Sequence, residues 1–206
     1  MKVLDISVNV FQGENNIQDI APRIQNFFSL EKGDEFNQTA IYMGLQTATH
    51  VLTPSFCFEN EKTIEDFELE IFIGSCEVIT LPSGYITGEM VERLCPKSTK
   101  KILIKSDGAI NFMPGALDDL AFREYELIGF DKNIDLEKNK INTHRSLMRN
   151  GCVILKNLDL EKVETGEYFL LAMPLKIGEF EASPTRAVLL TDYINWSPRK
   201  DNPLTF

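Results

Sequence analysis

No stretch of the chain stays apolar for the roughly 18 residues that a membrane-spanning helix requires. The start, Met1-Lys2-Val3-Leu4-Asp5, meets charge too early for the apolar centre of a secretion signal. Histidine is scarce: His50 and His144 are the two copies, so one chain cannot build a three-histidine zinc site. Cysteine is sparse too, and Cys57, Cys76, Cys95 and Cys152 lie too far apart for a CxxC knuckle or a dense disulfide frame. Positive charge is outnumbered, with 21 Lys and Arg against 31 Asp and Glu, for a net charge of −10. Short basic runs exist, as at Lys97, Lys100, Lys101 and Lys105, but acidic residues surround them along the chain. Such a surface repels phosphate backbones and anionic headgroups, which argues against nucleic-acid and membrane partners. No glycine-rich loop follows a strand, so P-loop and dinucleotide-binding readings fail. Repeats and low-complexity segments are also missing. These absences together predict a cytoplasmic protein with reduced thiols.

What is present is ordinary globular material: 206 residues, 43% of them hydrophobic, with Phe at 14 copies the commonest aromatic. That length fits one domain with a full core, taken as 1–194, followed by a polar surface tail over 195–206. Residues 3–10 read as a strand, followed by a polar stretch from Gly13 to Asp19. The run 39–45 is apolar and partly β-branched, which predicts a buried strand. Thr63-Ile64-Glu65-Asp66 has the capping-box pattern for a very short helix. Residues 70–81 read as a long strand bent at Gly74. Thr87 caps a helix that Pro96 stops, and a strand follows over 101–106. A second helix is expected over 114–123, then a strand over 126–130. Asn142 can cap a third that runs through Asn150 with Gly151 as its left-handed end, leading into a strand over 152–156. Residues 167–175 are nearly all apolar, as for a strand covered on both faces, and 186–190 form the last strand. Strands outnumber helices, and long strands are read as following one another without helical crossovers. The fold class expected is therefore α/β: a compact, β-rich, mixed-sheet layered domain with peripheral helices rather than a doubly wound sheet.

A lone histidine is more often a hydrogen-bonded structural residue than a ligand, but the context of His50 is informative. Gln46-Thr47-Ala48-Thr49-His50-Val51-Leu52-Thr53-Pro54-Ser55-Phe56 resembles the signature H-x-G-T-H-x-D-x-P-x-H of the cyclase family, which includes bacterial kynurenine formamidases. Thr49, His50 and Pro54 match without gaps. The likeness continues through Asp5-Ile6-Ser7, Phe11-Gln12-Gly13-Glu14 and Leu127-Ile128-Gly129-Phe130-Asp131. Gly166-Glu167-Tyr168, Ala172-Met173-Pro174-Leu175-Lys176 and Ser183-Pro184-Thr185-Arg186-Ala187-Val188-Leu189 extend it in the family's order over nearly the whole chain. The resemblance implies the family's compact fold, a homodimer with sites near subunit contacts, and a divalent metal, usually zinc. That metal activates water and polarises an amide or ester carbonyl, while a histidine shuttles protons.

Most of that machinery is replaced here. The motif's first histidine is Gln46, its aspartate is Leu52 and its third histidine is Phe56. A downstream histidine matches His144, but the family's glutamate twelve residues later is Lys156. Leu52 and Phe56 have no lone pair, Gln46 is a poor zinc partner, and an inward Lys156 would repel a dication. No cofactor is therefore expected, with zinc or manganese as the candidates should the site be functional. The pocket candidates are His50, His144 and Lys156, lined by Gln46, Leu52 and Phe56, with an outward, strand-end Lys156 as the competing reading. Cys57 is read as a small buried hydrophobe ahead of a nucleophile, and on an extended segment it would oppose Phe56. Glu14 and Asp131 are carboxylates at family positions, and Arg186 pairs with a carboxylate at a subunit contact or stands free on the surface.

Three functional readings follow. In the first, the protein has left metal hydrolysis and binds a small carbonyl-bearing or anionic molecule in the former metal pocket. In the second, it hydrolyses an amide or ester, of the N-formyl arylamine type, through His50, His144 and Lys156 or Cys57. In the third, it is a structural or regulatory dimer.

Overall fold

The computed structural model describes residues 2–12, 20–136 and 140–191, with the backbone alone for 140 and 141. The expected polar stretch from Gly13 to Asp19, Glu14 within it, and the tail over 195–206 lie outside the described residues. The strands are β1 (Lys2–Asp5), β2 (Arg23–Phe28), β3 (Gln38–Tyr42), β4 (His50–Leu52), β5 (Ile73–Leu81), β6 (Gly84–Ile86), β7 (Lys101–Ser106), β8 (Ile110–Phe112), β9 (Leu127–Asp131), β10 (Val153–Leu158), β11 (Gly166–Leu171), β12 (Ala182–Pro184) and β13 (Val188–Thr191). The helices are α1 (Gly88–Leu94), α2 (Pro114–Phe122) and α3 (Lys140–Met148). No described helix is long and apolar enough to cross a membrane.

Nine strands form one mixed sheet in the order β1-β13-β11-β5-β7-β9-β10-β4-β12. Its middle, β5-β7-β9-β10, is parallel, and both flanks are antiparallel. Between consecutive parallel strands lies one helix each, which corrects the expectation of long strands without helical crossovers: parallel neighbours need a crossover, and a helix supplies it. Val91, Leu120 and Leu147 from the three helices share an apolar layer with Ile79, Ile102, Ile128 and Ile154. The intervening residues Val78, Leu103, Leu127 and Val153 join a second layer with Phe72, Leu170 and Leu189. Period-two alternation thus feeds two cores, and a sheet apolar on both faces must cover both. It curls to do so. A bridge between Ser7 and Leu158, and the bond from the Asp159 N–H to the Ile6 carbonyl (2.9 Å), bring the chain leaving β1 against β10.

Local signals explain several helix ends, but α3 begins at Lys140, so Asn142 lies inside it instead of capping it, and it stops at Met148 rather than Asn150. Thr87 Oγ1 accepts the Met90 N–H at 3.3 Å, Pro114 opens α2, and Gly151 at φ +80° follows the last turn of α3. The Thr63 box closes, with its N–H donating to Asp66 Oδ2 at 2.8 Å, but it shapes a single 3-10 turn.

Five strand expectations are corrected. The strand expected over 70–81 starts at Ile73, after a 3-10 turn over Leu69–Ile71. The first strand stops at Asp5, and Ser7 keeps only an isolated bridge. The 39–45 run does form β3, yet it pairs only with β2, and Ile24, Phe27, Phe28, Ile41 and Tyr42 are exposed. An apolar run specifies a strand without saying which surface covers it. The 167–175 run ends as a strand at Leu171, and its burial alternates, so one face is covered rather than two. The last strand sits at Val188–Thr191, slightly later than expected.

Candidate functional site

In the antiparallel register of β10 on β4, Lys156 stands opposite His50, and on the other side of β4, Pro184 of β12 does the same. Cross-strand partners send their side chains to the same face. That face is the helix-covered one, because Leu52 and Ile154, two residues away on each strand, belong to the helix-side layer. Lys156 is 7% exposed and His50 2% exposed, so the lysine points inward and the outward reading is excluded. His144 is fully buried on α3. Helical spacing groups it with Leu147 and Met148, both members of the helix-side layer. The Phe56 ring meets the His144 imidazole edge-on, with centroids 5.1 Å apart. The segment after β4 is a 3-10 turn over Pro54–Phe56, so Phe56 and Cys57 are not split by strand alternation as expected for an extended segment.

The imidazole of His50 has a defined anchor. Its Nδ1 lies 2.8 Å from the Ala48 carbonyl. A carbonyl only accepts, so Nδ1 carries a proton, and the neutral form of a ring so anchored has its lone pair at Nε2. Both histidine Nε2 atoms are buried. The same carbonyl accepts Asn157 Nδ2 at 2.9 Å. Thr49 Oγ1 donates to the Asn157 carbonyl at 2.6 Å and accepts the Val8 N–H at 2.8 Å. Ala48 and Asn157 both have positive φ, +54° and +56°. Sequence reasoning passed over both residues. The available signals were Ala48 at the motif's glycine position and an asparagine, a residue tolerant of the left-handed region, beside Lys156.

The remaining candidates have surroundings of their own. Leu52 is fully buried in apolar surroundings, and Gln46 is half-buried in the turn before the motif strand. Cys57 rests its Sγ 3.7 Å from Met148 Sδ, burial pushes its thiol pKa up, and the Arg145 Nε donates to its carbonyl at 3.3 Å. Asp131 accepts the N–H groups of Asn133 (2.9 Å) and Leu160 (3.0 Å), so it organises turns. Arg186 bonds Asp5 of its own chain through both Nε and a terminal nitrogen. Among the described residues, no group of three or more His, Cys, Asp or Glu side chains is placed to hold a metal ion. An open groove of about 700 Å³ passes beside Ala48 and Thr49, walled by Phe11, Ile41, Met173 and Leu175.

The fold is shared with solved structures. A predicted metal-dependent hydrolase from Bacillus stearothermophilus superposes with a TM-score of 0.76 at 24% identity, covering 91% of this chain and 97% of that one. Isatin hydrolase A from Labrenzia aggregata follows with a TM-score of 0.73 at 18% identity, covering 91% and 93%. No family profile matches the chain. Among curated proteins, a kynurenine formamidase from Polaromonas naphthalenivorans (strain CJ2) is 31% identical over 198 residues, covering 90% of this chain and 86% of its own length. One from Bacillus thuringiensis (strain Al Hakam) is 28% identical over 176 residues, covering 79% and 84%. The chain belongs to the cyclase-like kynurenine formamidase family.

Proposed function

We propose that this family member works without a divalent metal and binds a small carbonyl-bearing or anionic molecule at His50, His144 and Lys156. The observation that carries this reading is the register that sets the buried Lys156 beside His50. A zinc-type ion needs lone pairs from nitrogen, sulfur or carboxylate oxygen. Where the family resemblance places such donors, Leu52 and Phe56 have none, and Leu52 is enclosed by aliphatic neighbours. Cross-strand Cβ atoms stand about 5 Å apart. From the strand position facing His50, the Lys156 ammonium would repel a dication held by that histidine; two such charges about 5 Å apart repel by roughly 6–7 kcal/mol at an effective dielectric of about 20. The described residues do not fit the family's metal.

What they do supply is a different chemistry. The Lys156 ammonium donates charge-assisted hydrogen bonds to a carboxylate or polarised carbonyl oxygen. His50, with Nδ1 committed to Ala48, accepts at Nε2 from an N–H or O–H of the same ligand. Phe56, seated against His144, offers an apolar wall.

The test is twofold. Elemental mass spectrometry on untagged protein dialysed against zinc and manganese is expected to give clearly substoichiometric metal; one ion per chain would overturn the reading. Thermal scans with formate, acetate and benzoate are expected to show stabilisation that Lys156→Met abolishes, since a ligand of the native state raises apparent stability. Lys156→Glu is expected to gain zinc affinity by calorimetry.

The 31% identical relative favours a second reading, hydrolysis of a formamide-type amide or ester by the same residues. It requires turnover of N-formyl arylamines that His50→Ala removes. In either reading we propose a homodimer, supported by the apolar side chains exposed on β2 and β3. The cytoplasmic compartment is supported by four free, buried cysteines.

A further inference from the structure

Two residues that are not glycine adopt the left-handed backbone conformation at this site, and they are bonded to each other. Ala48 (φ +54°) precedes Thr49 and His50; Asn157 (φ +56°) follows Lys156 at the register shift of β10 on β9. The Asn157 amide donates to the Ala48 carbonyl at 2.9 Å, the oxygen that also lies 2.8 Å from His50 Nδ1. Thr49 returns the contact by donating its hydroxyl to the Asn157 carbonyl at 2.6 Å.

We infer that Asn157 is a positioning residue for His50: its amide holds the Ala48 carbonyl where it captures the Nδ1 proton, and so fixes Nε2 as the accepting nitrogen. A carbonyl oxygen has two lone pairs, and here each has a taker. A non-glycine residue stays in the left-handed region only where its surroundings over-determine it. With the amide removed, the Ala48–Thr49 peptide is released to turn, Nδ1 loses its aligned acceptor and the two imidazole tautomers mix. The residue type follows from the double demand. Asparagine tolerates positive φ and donates; glycine meets only the first requirement, and an ionised aspartate can only accept.

The inference rests on His50 belonging to the binding site, but its test does not need a ligand. Histidine labelled with ¹⁵N is observed by NMR at mildly alkaline pH, where an unperturbed imidazole is neutral. His144→Gln assigns the two rings. The wild-type chain is expected to show His50 protonated at Nδ1, and an Nε2–H tautomer there would overturn the inference at once. Asn157→Gly, which keeps the backbone conformation, and Asn157→Asp, which keeps the shape, are each expected to give mixed His50 tautomers. A single Nδ1–H tautomer in a variant shown to be folded by circular dichroism would also overturn it. Formate and benzoate titrations run in parallel: no wild-type stabilisation sinks the binding reading and leaves the tautomer result standing.

Discussion

At the residue scale, the site is defined by substitutions whose chemistry is legible singly and whose placement is not. Leu52, Phe56 and Lys156, set against the family signature, are what the proposal of a site without metal donors reads in one dimension. That Lys156 faces His50 emerges only from strand register. Ala48 makes the same point energetically. A methyl-bearing residue at φ +54° costs about 1–2 kcal/mol relative to the right-handed region, a cost glycine escapes. Ala48→Gly is therefore expected to stabilise the protein by about 1 kcal/mol, after the greater unfolded-chain entropy of glycine is deducted. Urea unfolding with an unchanged slope would check it. The cysteines are legible as inert. Burial pushes the thiols of Cys76 and Cys152 up to about 12 and that of Cys95 to about 11. The thiolate is the reactive form, so native protein at pH 8 is expected to react with a thiol reagent far more slowly than unfolded protein at all three. Mass spectrometry of the labelled peptides would read this. Because their pKa values are raised on folding, ionisation at high pH favours the unfolded chain, and stability falls as pH climbs past the unfolded thiol value near 9.

At the scale of elements, capping and turn signals are local and therefore readable. Thr87, Pro114 and Gly151 end up where helix-end chemistry places them. Failures came where a neighbour decides. The 39–45 run has strand composition but no covering surface among the described residues, and the 167–175 run loses its ladder after Leu171. Gly129 shows an element-level constraint of another kind. Its Cα faces the Leu103 side chain so closely that an added Cβ would collide with Leu103 Cδ2 and stand 2.9 Å from Leu158 Cδ1. Those leucines are fully buried in the second layer, on the face away from the helices, with little room to give. Gly129→Ala is expected to cost about 1–3 kcal/mol, the range for overpacking a core. A midpoint in denaturant equal to that of the parent would exclude the close approach as a constraint.

At the scale of the whole molecule, β2 and β3 pair only with one another, and their exposed apolar side chains include Phe28 and Ile41. An isolated two-stranded ribbon is marginal in water, and a surface of this kind calls for a cover. Under the dimer proposed above, light scattering on an eluting column is expected to give twice the chain mass. Phe28→Lys combined with Ile41→Lys is expected to shift the protein toward the monomer. A wild-type chain that elutes as a monomer at micromolar concentration would end that proposal.

In the sequence by itself, the order of the matched motifs carried the resemblance to the family, and hydrophobic patterning with local turn chemistry indicated the β-rich mixed α/β class and the helix-end signals at Thr87, Pro114 and Gly151. These depend on short stretches of chain, whose preferences act before distant segments meet. Tertiary structure alone decided that three helices share one face, that Lys156 is buried opposite His50, and that Asn157 and Ala48 meet at one carbonyl. The physical reason is that strand register and curl are set by which apolar faces close against each other across the sheet, and that choice couples residues more than a hundred positions apart in sequence.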